Sequence, residues 1–137
     1  MLLKQRTILC VDDDADDQLH ILEMIGEIDP LAKIVKAANG MEALQLLEMA
    51  KETKELPALI ILDINMPRID GKQTLTTIKM DHQLKAVPVV LFTTSSSALD
   101  RMFGEKYGVK LITKPMNLAD FRTAVEQMLS YVSISEC

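Results

Sequence analysis

The chain is short of the residues that mark several common protein classes. None of its 137 residues is tryptophan, and besides two histidines only three phenylalanines and two tyrosines carry aromatic rings, so no indole fluorescence can report on a site. Cysteine occurs twice, as Cys10 inside an apolar run and as Cys137 at the last position. That spacing excludes a disulfide framework and suits no thiolate metal site; Cys10 reads as a small core residue. Long apolar runs are missing too. Stretches such as Leu59 to Leu62 and Val87 to Phe92 fall far below the roughly 20 residues needed to cross a bilayer. Met1 to Arg6 holds two leucines and then charge, without the apolar region and small-residue cleavage site of a signal peptide. A cytoplasmic location is expected. An excess of base is also lacking: 15 Lys and Arg face 20 Asp and Glu, for a net charge of -5. A uniformly basic face for DNA or RNA is therefore excluded, and no membrane partner is expected. No repeat, linker or low-complexity stretch interrupts the chain. With 48% hydrophobic and 26% charged residues, one globular domain over residues 1–137 is expected, its core at about 6–132, with no effector domain.

What the sequence does have is concentrated acid. Five of the six residues from Asp12 to Asp17 are aspartates, and with these set aside the remaining acids equal the bases in number. Around this run, short stretches rich in aliphatic and β-branched residues alternate with helical-period segments, the signature of βα units and a parallel sheet. The strand candidates are Thr7 to Val11, Lys33 to Ala38, Ala58 to Leu62, Val87 to Thr93 and Lys110 to Thr113. Three are almost continuously apolar, as strands covered on both faces are. The second and fifth carry lysines, which suits positions nearer solvent.

Between the strands apolar residues recur at three and four. Leu19, Leu22 and Ile25 with Ile21 and Ile28 form one inward face, and Ala43, Leu44, Leu47 and Ala50 form the next. Leu75 and Ile78 follow Gly71. Ser97 with Asp100 reads as a capping pair opening a helix that carries Phe103 and Tyr107. Asn117 opens a last helix with Leu118, Phe121, Val125, Met128 and Leu129 inward. Asn39-Gly40, Pro57 and Gly108 punctuate connections, and Pro67, Asp70 and Gly71 shape a turn. Asp14, Asp16 and Asp17 fit the start of the first helix, where acids cap and solvate the positive end of the dipole.

Five strands alternating with five helices, joined by right-handed crossovers, give an α/β doubly wound parallel sheet in the order 2-1-3-4-5 with helices on both faces. Ligands of such sheets bind at the carboxyl ends of the strands where the winding reverses, here between the first and third. Asp12, Asp13, Asp63, Thr93 and Lys114 all fall on that rim. Carboxylates about 4 Å apart repel by about 4 kcal/mol per pair at an effective dielectric near 20, so the site raises its pKa values or recruits a cation. Mg²⁺ suits an all-oxygen donor set; zinc and iron lack the His and Cys they favour. A lysine and a threonine hydroxyl on the same rim can neutralise and bond phosphoryl oxygens. Asp63, aimed by a buried strand, is the best-placed nucleophile, and an acyl-phosphate site follows.

The strings Ile-Leu-Cys-Val-Asp-Asp-Asp at 8–14, Asn-Gly-Met-Glu-Ala-Leu at 39–44, Leu-Ile-Ile-Leu-Asp-Ile-Asn-Met-Pro-Arg-Ile-Asp-Gly at 59–71, Pro-Val-Val-Leu-Phe-Thr at 88–93 and Lys-Pro at 114–115 resemble the receiver domain of two-component response regulators, a flavodoxin-like family. A chemotaxis receiver is itself a standard example of this strand order. The resemblance runs in order through nearly the whole chain. It implies that Asp63 accepts a phosphoryl group from a phosphohistidine on a sensor histidine kinase or histidine phosphotransfer protein. It further implies that Asp13, Asp63 and the Asn65 main-chain carbonyl hold Mg²⁺, with Asp12 acting through water. Lys114 would bind the phosphate across a cis bond to Pro115, and Thr93 would move toward it as the switch. Asn65 and Ser95 occupy positions that tune phosphoryl lifetime in the family.

Three residues before Lys114, where receivers commonly carry Tyr or Phe, stands Leu111, and Gly108 lies one place closer to Lys114 than in chemotaxis-type members. Repacking is then expected at Phe103 or Tyr107. Output is expected by contact through the face of helix 4, strand 5 and helix 5, with a target protein or a second copy. A relay to a histidine phosphotransfer protein is the alternative. A haloacid-dehalogenase-like phosphatase would use Asp12-Asp13-Asp14 as its Asp-x-Asp pair, but the chain is short for it and lacks a later acidic metal pair. A receiver-like binding module that is never phosphorylated is disfavoured by the complete acid, threonine and lysine set. His20 and His82 lie on a helix and near a turn without the surroundings of a phosphodonor. The reading is of a bacterial switch acting only on its own phosphorylation and dephosphorylation.

Overall fold

The computed structural model describes residues 6–66 and 69–132; Pro67 and Cys137 lie outside them. Five strands, β1 (Thr7–Val11), β2 (Lys33–Ala37), β3 (Leu59–Leu62), β4 (Val89–Thr93) and β5 (Lys110–Thr113), alternate with α1 (Ala15–Ile28), α2 (Gly40–Thr53), α3 (Gly71–Met80), α4 (Ala98–Lys106) and α5 (Leu118–Leu129). The sheet runs β2-β1-β3-β4-β5, and each of its four pairings is parallel. Fold class and strand order agree with the sequence reading.

Successive side chains of a strand point to opposite faces, and here they feed two cores. Leu9, Val11, Ile60, Leu62 and Leu91 pack with Leu47, Leu75 and Ile78 of α2 and α3. Ile8, Cys10, Ile61, Val90 and Phe92 pack with Ile21, Ile25, Phe121 and Val125 of α1 and α5. Double coverage explains why β1, β3 and β4 are apolar at nearly every position. Lys33 and Lys36 on β2 and Lys110 on β5 are exposed, as the edge placement requires.

Some boundaries and faces differ from expectation. β4 begins at Val89, because Pro88 has no N–H for the ladder; its carbonyl still accepts from Ile60 N at 2.9 Å. On α1 the buried residues are Ile21 and Ile25, and Leu19 is 51% exposed. Two residues on a helix subtend about 200°, so Leu19 faces away from Ile21. Leu118, expected inward, is 60% exposed in the first turn of α5, whereas Phe121, Val125 and Met128 are buried.

The helix starts follow the sequence closely. Asn39, Ser97 and Asn117 accept from the backbone N–H three residues on in α2, α4 and α5. Asp70 forms a reciprocal capping box with Gln73 at α3, and Asp14 takes the N–H groups of Asp16 and Asp17 at α1. These caps matter for function because they fix where each helix begins relative to the carboxyl ends of the strands.

Candidate functional site

At those carboxyl ends the backbone sets the positions first. Asp12 N donates to Ala37 O at 3.0 Å, Asp63 N to Val11 O at 3.0 Å, and Lys114 N to Thr93 O at 2.7 Å. Each functional residue is thus the first one past its strand, still tied to a neighbouring strand. Gln18 adds a brace from α1, donating Nε2 to Ala37 O at 2.8 Å and to Cys10 O at 3.3 Å.

Asp12, Asp63 and Thr93 are buried and Asp13 is exposed. Oxygens of Asp12, Asp13 and Asp63 lie within 4.8 Å of one another. The Lys114 ammonium is 2.7 Å from Asp12 Oδ2, 2.7 Å from Asp17 Oδ2 and 3.5 Å from Asp63 Oδ2. Its Nζ also lies 6.0 Å from the centroid of the Phe92 ring. Asn65 N donates to Asp63 Oδ1 at 3.3 Å, and Asn65 Nδ2 and Ser95 N each lie 3.4 Å from Thr93 Oγ1. The residues named from sequence therefore converge on one rim.

Asp17 is the addition. Read from sequence as part of helix solvation, it instead places its carboxylate on Lys114, one helical turn beyond the Asp14 cap and on the side facing β5. The signal was there in its spacing from the cap, but choosing Asp14 over Asp13 or Asp16 as the cap needs the backbone. A second group found only in the structure secures the loop after Thr93. Ser95 Oγ donates to Asp100 Oδ2, and Lys72 Nζ of α3 reaches Asp100 Oδ1 at 2.6 Å. Lys72, then Ser95, hold the Asp100 carboxyl below the usual carboxylate range. The expected cis bond before Pro115 is corrected: among the described residues every peptide is trans, the isomer ordinarily preferred before proline.

Burial pushes the Asp12 carboxyl up to about 6, against the lowering effect of Lys114 and of the Asp14 N–H. Burial alone would lower the Lys114 ammonium, but hydrogen bonds to Asp12 and Asp17 and the charge of Asp63 outweigh it and raise it. Burial, then Asp12, push the Cys10 thiol up to about 12, so Cys10 is an inert core residue as expected. Leu111 is buried among Leu91 and Val109. Phe103 and Tyr107 meet edge to face at 5.1 Å, with Tyr107 Oη 3.5 Å from Thr76 Oγ1 of α3.

Residues 8–126 match the response regulator receiver domain family. The chain belongs to that family. Response regulator Rcp1 of Synechocystis sp. is 30% identical over 129 residues, covering 92% of this chain and 88% of that protein. The phosphorylated cyanobacterial phytochrome response regulator RcpA superposes with a TM-score of 0.86 at 31% identity, covering 97% of this chain and 100% of that one. A Mn²⁺-bound form of response regulator Rcp1 superposes with a TM-score of 0.84 at 29% identity, over 96% of this chain and 97% of that one. Histidine kinase P4 of Formosa agariphila is 32% identical over 127 residues, which are 92% of this chain and 9% of the kinase.

This receiver is a two-component signalling protein rather than a conventional enzyme. Receivers bind Mg²⁺ or Mn²⁺ at an acidic pocket, and the donors here fit: three clustered carboxylates, all hard oxygen, with no histidine or cysteine joining the cluster among the described residues. Among the described residues no helix is long and apolar enough to cross a membrane.

The raised Asp12 carboxyl gives a pH dependence. The folded protein keeps its proton up to about pH 6, whereas the unfolded chain releases it near the ordinary 3.8. Between those values the folded state binds more protons, so stability contributed by this group falls as pH rises. With metal chelated, wild type should lose about 2 kcal/mol relative to Asp12→Asn across that window. Mg²⁺ should flatten the difference. Urea denaturation of both proteins from pH 4 to 7, with EDTA or Mg²⁺, checks this; parallel EDTA curves contradict it.

Proposed function

We propose that Asp63 is the phosphoacceptor of a response regulator that takes its phosphoryl group from a phosphohistidine. The observation that carries this reading is the meeting of Asp63, buried and first past β3, with the Lys114 ammonium at 3.5 Å and two further carboxylates within 4.8 Å. A carboxylate oxygen of Asp63 forms the O–P bond as the N–P bond of the phosphohistidine breaks. The leaving imidazole nitrogen keeps the electron pair and takes a proton from solvent.

Asp12, Asp13, Asp63 and the Asn65 carbonyl would hold Mg²⁺, which when bound supplies positive charge against the phosphoryl oxygens. Lys114 bonds those oxygens and balances charge that arrives on them, and Thr93 offers its hydroxyl from the end of β4. The protein catalyses only its own phosphorylation and hydrolysis.

Phosphorylation adds about two negative charges. The shift of Thr93 toward them would pull on the Ser95–Asp100 latch and on α4. Output through the face of α4, β5 and α5, to a partner protein or a second copy, is supported by Leu99 and Met102 on α4, which are 74% and 62% exposed. With Leu111 in place of an aromatic, the Phe103–Tyr107 pair is the group expected to repack.

Incubation with acetyl phosphate and Mg²⁺, followed by borohydride reduction and peptide mapping, tests the assignment. The reduced acyl phosphate should map to residue 63. Labelling at Asp12 or Asp13, or repeated turnover of a generic phosphomonoester that survives Asp63→Asn, would favour a phosphatase instead.

A further inference from the structure

Lys114 has two carboxylate partners at equal distance, and its departure would affect them differently. The Asp12 side chain is 3% exposed and that of Asp17 is 25% exposed. Asp17 also borders a groove of about 220 Å³ shared with His20 and Lys114. Water can therefore replace the ammonium at Asp17, whereas at Asp12 a bare carboxylate would be left buried. An ammonium has three N–H donors, and two of those on Lys114 serve Asp12 and Asp17. With Asp63 at 3.5 Å and the other two at 2.7 Å, the ammonium sits closer to Asp12 and to Asp17 of α1 than to Asp63.

Building on the phosphoacceptor reading of Asp63, we infer that Asp17 is a positioning residue that draws Lys114 off Asp63 in the unphosphorylated protein and so opposes uptake of the phosphoryl group. Two effects act with the same sign. Lys114 keeps a third N–H free, but its ammonium must draw back from the 2.7 Å contact with Asp17 to carry that donor to phosphoryl oxygens on Asp63, and the Asp17 charge adds to the repulsion that the incoming group meets. Asp16 provides the comparison: it lies on the same turn of α1 and is exposed. Its removal takes the same charge from the helix start without touching Lys114.

The experiment titrates beryllofluoride, a phosphoryl mimic, at saturating Mg²⁺ and follows the Thr93 amide by NMR. Asp17→Asn should bind about tenfold tighter than wild type, the scale of a partly buried ion pair released. Asp16→Asn should bind like wild type, and Asp17→Glu should return toward it. The ¹⁵N resonance of the Lys114 ammonium should shift on Asp17→Asn in the free protein and coincide with wild type once beryllofluoride is bound. A role in helix stability alone would leave both readouts unmoved. Asp17→Asn binding no tighter than wild type, while wild type binds, overturns this inference and leaves the phosphoacceptor reading standing. Wild type that takes up no beryllofluoride with Mg²⁺ removes both.

Discussion

Replacing Lys114 with methionine should lower the stability of the metal-free protein at neutral pH by about 3 kcal/mol or more, because it leaves buried carboxylates without their counter-ion. The side chains of Asp12 and Asp63 are 3% and 7% exposed, and that of Lys114 is 5% exposed. No other cation stands within salt-bridge distance of Asp12 or Asp63 among the described residues. Methionine keeps much of the apolar stem and removes the charge, whose Nζ lies 6.0 Å from the Phe92 ring centroid. Mg²⁺ should restore most of the loss by supplying positive charge to the same oxygens. Urea unfolding with EDTA and with Mg²⁺ checks both halves. Equal midpoints for wild type and Lys114→Met in EDTA would mean that the three close approaches of Nζ contribute nothing.

Gly71→Ala should cost about 3 kcal/mol and displace the phosphoacceptor at the same time. A Cβ at position 71 would fall 2.1 Å from the Asp63 carbonyl oxygen and 2.6 Å from Ile64 Cα. Those are backbone atoms at the end of β3, so no side chain can rotate away. Gly71 N also donates to Ile64 O at 3.0 Å, which holds α3 against that backbone. Relieving the clash must move either the start of α3 or the carbonyl of Asp63. The expected result is a lower urea midpoint together with a loss of acetyl phosphate labelling that added Mg²⁺ does not recover. A variant with wild-type labelling and stability would show that the loop yields freely at this point.

The sheet was legible because double burial makes β1, β3 and β4 apolar at nearly every residue, a pattern that survives even where the ends are blurred. Ends were blurred where hydrogen bonding overrides composition: Val87 is apolar, but Pro88 delays the start of β4. Helix faces were harder to read near the helix starts. Leu19 and Leu118 have the right character for the core and the wrong angular position, since a stripe is fixed by where the helix starts and that depends on its cap.

The site was legible for the same reason as the sheet. Strand order brings Asp12, Asp63, Thr93 and Lys114 to one rim whatever the details of the loops. What order does not give is which carboxylate the lysine prefers. Asp17 lies in a run of five aspartates whose members look alike in sequence. Only the position of the Asp14 cap, and the distance from α1 to the end of β5, single it out. The Ser95–Asp100–Lys72 latch was hidden similarly, because it joins the loop after β4 to α4 and α3 through residues that share no motif. Leu111 was visible as a departure from the family, and its burial against Leu91 shows how the space is filled.

The central claim, that Asp63 is the residue phosphorylated, is tested most directly by intact mass of wild type and Asp63→Asn after incubation with acetyl phosphate, with Mg²⁺ or with EDTA. One phosphoryl increment is predicted on wild type in Mg²⁺, lost in acid and absent in EDTA, with none on Asp63→Asn under any condition. The same increment on Asp63→Asn, or its absence from folded wild type in Mg²⁺, would contradict the claim.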